Sequence, residues 1–421
     1  MESIYIHGGI ALQGQVRIQG SKNAVLPVLA ATLLTEGTSI IGNCPRLTDV
    51  FYMQTLLESL GCQTAWEEGK LKINAKKAGE IHALSEMPAE AVKGMRSSII
   101  LLGALLGRTH EVRIEYPGGC VIGERPIDLH LAALKKMNVE FEEKSFGLYA
   151  CTEGLCGAEI TLPLPSVGAT ENLLLAAVKA NGTTIIRGAA REPEIKTLCD
   201  FLSCCGADIT GAGSATIIIR GVEHLAGVEF EIPGDRIVAG TYLCACMAAG
   251  GEVLLQEAPV MQMQSVLETA MKMGVSCQTT QEGLYVQVHE KLQSPRKLVT
   301  EPYPGFPTDM QSLFLTVSAL AKGSCLIEET IFENRFHTVP CLRDMGADIV
   351  QTDARHVLVE GVEELQGTRV TAQELRGGAA LVVAGAAAKG ETIVDGCHFI
   401  ERGYENICRD LRELGVRIYG V

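Results

Sequence analysis

Basic residues stand beside the start of one predicted helix after another. Gly20-Ser21-Lys22-Asn23 precedes one apolar stretch, Arg96 opens a second and Arg376-Gly377-Gly378 a third. Arg125 precedes Pro126-Ile127-Asp128-Leu129, Arg335 follows Glu333-Asn334, and Arg402 precedes Gly403. Ser166-Val167-Gly168 and Pro307-Thr308-Asp309 open two more helices without a cation. A helix N-terminus offers unpaired N–H groups and the positive end of a dipole, so an added Lys or Arg makes an anion site. The planar fork of Arg grips two oxygens of a carboxylate or phosphate at once. One such residue is ordinarily a cap or a solvated charge. Recurrence at equivalent places points instead to a shared anion.

A second feature is the stretch Tyr116-Pro117-Gly118-Gly119-Cys120-Val121-Ile122-Gly123. Its glycines predict a mobile loop with an accessible thiol, and Arg125 nearby would favour the thiolate. Cys120 is therefore a candidate reactive residue, whereas packing is the default for the other 14 of the 15 cysteines. No C-x-x-C pair and no Cys/His spacing suited to zinc occurs, and there is no P-loop. Neither a metal nor a cofactor is expected.

The elements that must position these residues repeat. A helix-ending turn followed by a strand recurs at LGCQTAW, MNVEFE, CGADIT, MGVSCQT, MGADIV and LGVRIYG, with successive turns 68 to 77 residues apart. A second series interleaves with it: GTSIIG, THEVRIEY, GTTIIRG, GEVLLQE, GSCLIEE and GETIVDG. Two markers in register define six copies of one unit. Each unit reads as an apolar helix, a strand, an amphipathic helix and a hairpin. Residues 23–34, 169–180, 309–321 and 378–389 exemplify the first helix, and 47–60 and 404–414 the second. A helix apolar all round belongs in the interior, and the amphipathic one belongs outside.

The sixth unit lacks one strand, which the N-terminal segment IYIHGGIALQGQVRIQG is expected to supply. Grouping by threes predicts one domain over 22–232 and another over 1–21 plus 233–421, with a ligand in the cleft between them. The fourth unit, with Asp235-Arg236 at its helix start, offers no residue with an assignable role.

Bulk properties agree with an ordinary soluble globular protein. The 421 residues are 47% hydrophobic and 20% charged, with net charge −14 and no basic run that would serve nucleic acid or an anionic membrane. No apolar run is long enough to span a bilayer, and MESIYIHGG lacks the features of a signal peptide. A reducing cytoplasm suits so many unpaired thiols.

Five blocks carry a resemblance to the UDP-N-acetylglucosamine 1-carboxyvinyltransferases of the enolpyruvyl transferase family. They are Gly20–Ala24, Gly119–His130, Ser166–Thr170, Pro304–Gln311 and Phe332–Phe336, in the family's order and spacing. The resemblance implies an α/β fold, a two-domain inside-out α/β barrel built from six repeats. It implies transfer of enolpyruvyl from phosphoenolpyruvate to the 3′-hydroxyl of UDP-N-acetylglucosamine with release of phosphate, the first committed step of peptidoglycan synthesis. Cys120 then matches the proton donor, which can bond to phosphoenolpyruvate and is the target of fosfomycin, and Asp309 matches the base. Lys22, Asn23, Arg125, Arg335, Arg376 and Arg402 match groups around phosphoenolpyruvate. Asn23, Arg96, Arg125, Pro126, Ile127, Asp128, Leu129, Ser166, Val167, Gly168, Asp309 and Ile331 match contacts to the sugar nucleotide. Small molecules are the only partners implied, and no second copy of the chain is required for the site.

Two departures stand out. Glu374-Leu375-Arg376 replaces the Asp-Leu-Arg of many members, and Leu164-Pro165 stands where some carry a Lys. The shikimate-pathway transferase, the nearest alternative, has Lys-Ser where this chain has Lys22-Asn23 and lacks the loop cysteine. A non-catalytic sugar-nucleotide sensor would have lost Cys120, Asp309 or Lys22, and all three are present.

Overall fold

The computed structural model describes residues 2–78, 96–114, 127–145 and 147–421, with the side chains of Arg96 and Ser97 outside that description. The first marker series has a backbone cause. Gly61, Asn138, Gly206, Gly274, Gly346 and Gly415 all hold positive φ, from 69° at Asn138 to 108° at Gly206. A left-handed residue just past a helix lets the chain turn back onto its last carbonyls, and Gly or Asn adopts it at least cost. In five repeats the next residue closes the helix, as Cys62 N–H does on Leu57 O at 3.0 Å and Val416 N–H on Leu411 O at 2.9 Å.

The strands form six separate sheets among the described residues, five of four strands and one of three, and none closes on itself. In the four-stranded sheets a parallel pair adjoins an antiparallel hairpin. Lys297–Val299 lies parallel to Ser324–Glu328, which pairs antiparallel with His356–Glu360, itself paired with Asp348–Gln351. The N-terminal segment is shared between two sheets, where the sequence pattern assigned it to one. Ser3–His7 sits between Glu391–Asp395 and Arg417–Gly420 and supplies the missing strand of the sixth repeat. Leu12–Arg17 instead pairs parallel with Gly251–Gln256 of the fourth repeat. The first repeat takes its parallel strand from Glu229–Glu231, late in the chain.

The chain divides into two compact units, one reaching from Gly20 to Pro233 and the other made of the residues up to Gln19 together with Gly234–Val421. Each has its own apolar core. In the second unit the helices Arg236–Ala249, Gln311–Leu320 and Leu375–Ala387 pack on one another and on their own sheets. They are buried on every face, Ile237 to Met247 without a break. Helices inside and sheets outside is the inside-out arrangement, realised without a hydrogen-bonded barrel.

Several helix starts differ from the pattern reading. The fifth inner helix begins at Gln311, after a 3-10 turn Thr308–Met310 that carries Asp309. The last outer helix begins at Ile407 because Asn406 caps it through Arg409 N–H, and Arg402 ends the preceding 3-10 turn Cys397–Arg402. Arg335 stands ahead of the helix Thr338–Asp344, outside its first turn.

Candidate active site

In the unit carrying Asp309, three of the expected residues meet. Asp309 Oδ1 lies 3.0 Å from Arg335 Nη2, and its Oδ2 lies 3.5 Å from Arg376 Nη2. The Asp309 side chain keeps 26% exposure, while the arginine side chains keep 2% and 5%. Arg335 also lies over the ring of Phe332, 5.4 Å from its centroid. Arg335 Nε and Arg376 Nη1 are buried with no hydrogen-bond partner among the described residues. An unmade hydrogen bond to a buried donor costs roughly 1–3 kcal/mol. Two of them in one charged cluster mark a place built for an anion.

Glu329, fully buried, holds this cluster together. Its Oε1 accepts from the N–H groups of Ile331 at 2.8 Å and Phe332 at 3.0 Å, and its Oε2 from the Thr308 hydroxyl at 2.8 Å. One carboxylate thus ties the turn bearing Asp309 to the loop bearing Ile331 and Arg335. Beside Arg376 stands Tyr404, 1% exposed, whose hydroxyl lies 2.7 Å from Thr241 Oγ1 and whose oxygen favours the neighbouring guanidinium charge. Burial opposes the Arg376 charge, but Asp309, Tyr404 and Asp235 outweigh it and hold its pKa above the ordinary arginine value. Gln19 fixes the segment around Arg402, donating to Gly403 O at 3.1 Å and accepting from Glu405 N–H at 2.8 Å.

Four of the inner helix starts carry side-chain caps, while those of Leu101–Thr109 and Gln311–Leu320 carry none. Asp235 accepts from the N–H groups of Ile237 and Val238, and Glu374 from those of Arg376 and Gly377. Ser21 and Ser166 do the same, more weakly, for Ala24 at 3.4 Å and Ala169 at 3.3 Å. At the capped starts anion capture falls to side chains, because the caps already hold backbone donors there. Glu374, the residue that departs from the family's Asp, serves as the cap of its helix.

The other unit brings together a different group. Lys22 Nζ lies 2.6 Å from Asp49 Oδ2, the two side chains 12% and 2% exposed, with Asp49 in the first turn of the helix Thr48–Ser59. Asn23 is half-buried beside it in sequence. The segments Ile127–Leu129 and Ser166–Gly168 meet through His130. A Cβ on Gly168 would lie 3.0 Å from His130 Cε1, so only glycine fits there comfortably. Asn172 accepts from Gly103 N–H at 2.6 Å, so its amide nitrogen donates to Ile99 O at 3.1 Å and to His130 Nδ1 at 2.8 Å. That assignment leaves His130 neutral, with its proton on Nε2. Leu164, in the place of the Lys of some relatives, is 54% exposed.

Cys120, Arg125 and Pro126 lie outside the described residues, as does the side chain of Arg96. The other cysteines are mostly buried, in strands and turns as well as helices. Burial pushes the thiols of Cys62, Cys199, Cys205 and Cys246 up to about 12, which leaves them protonated at neutral pH. No group of metal-ligating residues occurs among the described residues, and none of their helices is long and apolar enough to cross a membrane. Pattern reading missed Glu329, Tyr404 and Thr241. The pair Glu328-Glu329 ends the apolar run Ser324–Ile327 without showing which of the two turns inward, and nothing in the apolar stretch Arg236–Ala249 singles out Thr241.

Comparison with known proteins adds three findings. The family described as EPSP synthase (3-phosphoshikimate 1-carboxyvinyltransferase) matches residues 6–411. UDP-N-acetylglucosamine 1-carboxyvinyltransferase 2 of Caldanaerobacter subterraneus subsp. tengcongensis is 45% identical over 419 residues, 99% of both chains. UDP-N-acetylglucosamine 1-carboxyvinyltransferase of Oleidesulfovibrio alaskensis is 44% identical over 418 residues, again 99% of both. Among solved structures, the enolpyruvyl transferase NikO from Streptomyces tendae superposes with a TM-score of 0.87 at 24% identity, covering 99% of this chain and 98% of that one. EPSP synthase from Acinetobacter baumannii gives 0.73 at 17% identity over both whole chains. These two likenesses concern the fold alone.

Proposed function

The chain belongs to the EPSP synthase (3-phosphoshikimate 1-carboxyvinyltransferase) family, and on that premise we propose that it transfers enolpyruvyl from phosphoenolpyruvate to the 3′-hydroxyl of UDP-N-acetylglucosamine in the cytoplasm. Relatives 42–45% identical over nearly the whole chain bear the name of that activity, which favours this acceptor over shikimate 3-phosphate. The observation that carries the reading is the Asp309–Arg335–Arg376 cluster with its two orphaned guanidinium donors.

The chemistry is addition followed by elimination. A proton goes to the methylene carbon of phosphoenolpyruvate while the sugar oxygen bonds to C2 and gives up its own proton. The methylene-derived carbon then loses a proton as the C2–O bond to phosphate breaks. Such a sequence needs an acid, a base and cations that offset developing charge. Cys120 is the donor and Asp309 the base. Arg335 and Arg376 face the carboxylate, and Lys22, Arg125 and Arg402 the phosphate. Asn23, Arg96, Ile127–Leu129, Ser166–Gly168 and Ile331 hold the sugar nucleotide.

The test is phosphate release from phosphoenolpyruvate with each acceptor in turn. Release with UDP-N-acetylglucosamine and not with shikimate 3-phosphate is expected; the reverse preference, or no release with either, overturns the reading. Fosfomycin should alkylate Cys120, read by peptide mass, and labelling confined to other cysteines would count against its role.

A further inference from the structure

The fourth repeat has no expected site residue, yet its inner helix reaches the cluster from behind. Thr241 lies within the helix Arg236–Ala249 and is fully buried. Its hydroxyl donates to Ile237 O at 2.9 Å and lies 2.7 Å from Tyr404 Oη. A threonine hydroxyl has one proton, and here the helix carbonyl takes it. The proton between Thr241 and Tyr404 therefore belongs to Tyr404, which donates to Thr241. Tyr404 Oη is left to accept, and its remaining neighbour is a guanidinium, which can only donate. The bonds have one sense, Tyr404 to Thr241 and Thr241 to a backbone carbonyl of a helix buried on all sides, which leaves the lone pairs of Tyr404 Oη for the neighbouring Arg376 guanidinium.

The same helix braces Asp309. A Cβ on Gly240 would lie 2.6 Å from both Cε and Sδ of Met310, so the residue after Asp309 seats its side chain directly against the helix backbone. Next in sequence, Tyr242 donates to Asp410 Oδ2 at 2.6 Å and ties the helix to the outer helix Ile407–Glu413. Arg376 needs such support, for its contact with Asp309 is long, at 3.5 Å, and its Nη1 has no partner among the described residues. A hydroxyl whose lone pairs are turned toward the guanidinium from behind, with the charge of Asp235 beside it, limits how far its plane can swing.

We propose that Thr241 of the fourth repeat and Tyr404 of the sixth are a positioning pair that fixes the Arg376 guanidinium for the carboxylate of phosphoenolpyruvate. The inference rests on the function proposed above. It assigns Thr241 of the fourth repeat a role at Arg376 alongside Asp235 of the same repeat, and neither member of the pair is placed against substrate.

The experiment is steady-state kinetics on the full chain with Tyr404→Phe, Thr241→Val and Thr241→Ser. Tyr404→Phe should raise KM for phosphoenolpyruvate about tenfold, with kcat and KM for UDP-N-acetylglucosamine changed less than about twofold. Thr241→Val should move the same constant in the same direction, and Thr241→Ser, which keeps the hydroxyl, should restore it. Because the two act through one chain of bonds, Tyr404→Phe combined with Thr241→Val should be no worse than Tyr404→Phe alone. Unchanged KM in both single variants overturns the proposal. So does an equal loss for both substrates that Thr241→Ser fails to rescue, since that is general destabilisation. Wild-type protein that releases no phosphate defeats the functional reading first and this inference with it, an outcome distinct from normal release with unaffected variants.

Discussion

The two units are built from the same repeat, yet they handle charge in opposite ways. In the unit of Asp309, two arginines are nearly fully buried and meet one carboxylate, with Glu329 and Tyr404 bracing them. In the unit of Lys22, the expected cation among the described side chains is a lysine paired at 2.6 Å with Asp49, and two inner helix starts there carry uncharged serine caps. It also buries an acid, Glu171, whose pKa is raised well above 4.5 by burial and then by Glu194 and Glu192. A scaffold of equivalent helices thus leaves the sign and stiffness of each site to a few side chains. Arg in a fixed fork suits a planar carboxylate, and Lys, a compact charge on a flexible stem, suits a group that moves during reaction.

The comparison can be broken most forcefully at Asp309. Asp309→Ala should lower kcat by about 10³-fold through loss of the base, and should cost roughly 3–5 kcal/mol because two buried guanidiniums lose their shared counter-charge. Turnover and denaturant unfolding of the same variant check both. Should its stability match the wild type, the arginines are not as dependent on Asp309 as the geometry indicates. Lys22→Ala tests the other side: activity should fall about 10²-fold, with a smaller stability loss of roughly 1.5–3 kcal/mol for the hydrogen bond to a charged partner. A larger stability loss than that of Asp309→Ala would reverse the contrast between the units.

Glu171 sharpens it through pH. Its folded-state pKa lies above the unfolded value, so the folded protein binds that proton more tightly. The stability this contributes is full below about pH 4.5 and is lost as pH rises through the folded pKa. Glu171→Gln keeps the shape without the titration and should unfold at a higher temperature than wild type at alkaline pH, the gap closing toward acid. Parallel melting curves for the two proteins across pH would refute the assignment. The smallest effect is expected at Glu374→Asp, which retains a capping carboxylate at the sixth inner helix; a change under about 1 kcal/mol in unfolding free energy is expected.

Much of the fold was legible as pattern. The turns at Gly61, Asn138 and their equivalents share one conformational need, and that need selects Gly or Asn wherever the repeat ends its outer helix. The all-round apolar character of Leu375–Ala387 announced a buried helix because nothing polar could be left facing water. The candidate residues were legible as well, since Asp309, Arg335 and Arg376 are charges in otherwise apolar or capped surroundings. Less legible were the strand exchanges at Leu12–Arg17 and Glu229–Glu231, where alternation marks a strand but not the sheet it will join.

The sequence by itself determined the repeat, the inner and outer helices and the charged residues gathered at the start of several repeats, because periodicity and turn chemistry act over a few residues at a time. Tertiary structure alone decided that Glu329 clamps the Asp309 turn, and that Thr241 stands behind Tyr404. Those outcomes turn on distances of about 3 Å between residues up to 163 positions apart. Hydrogen bonding at that range depends on how the repeats pack, and no local pattern carries it.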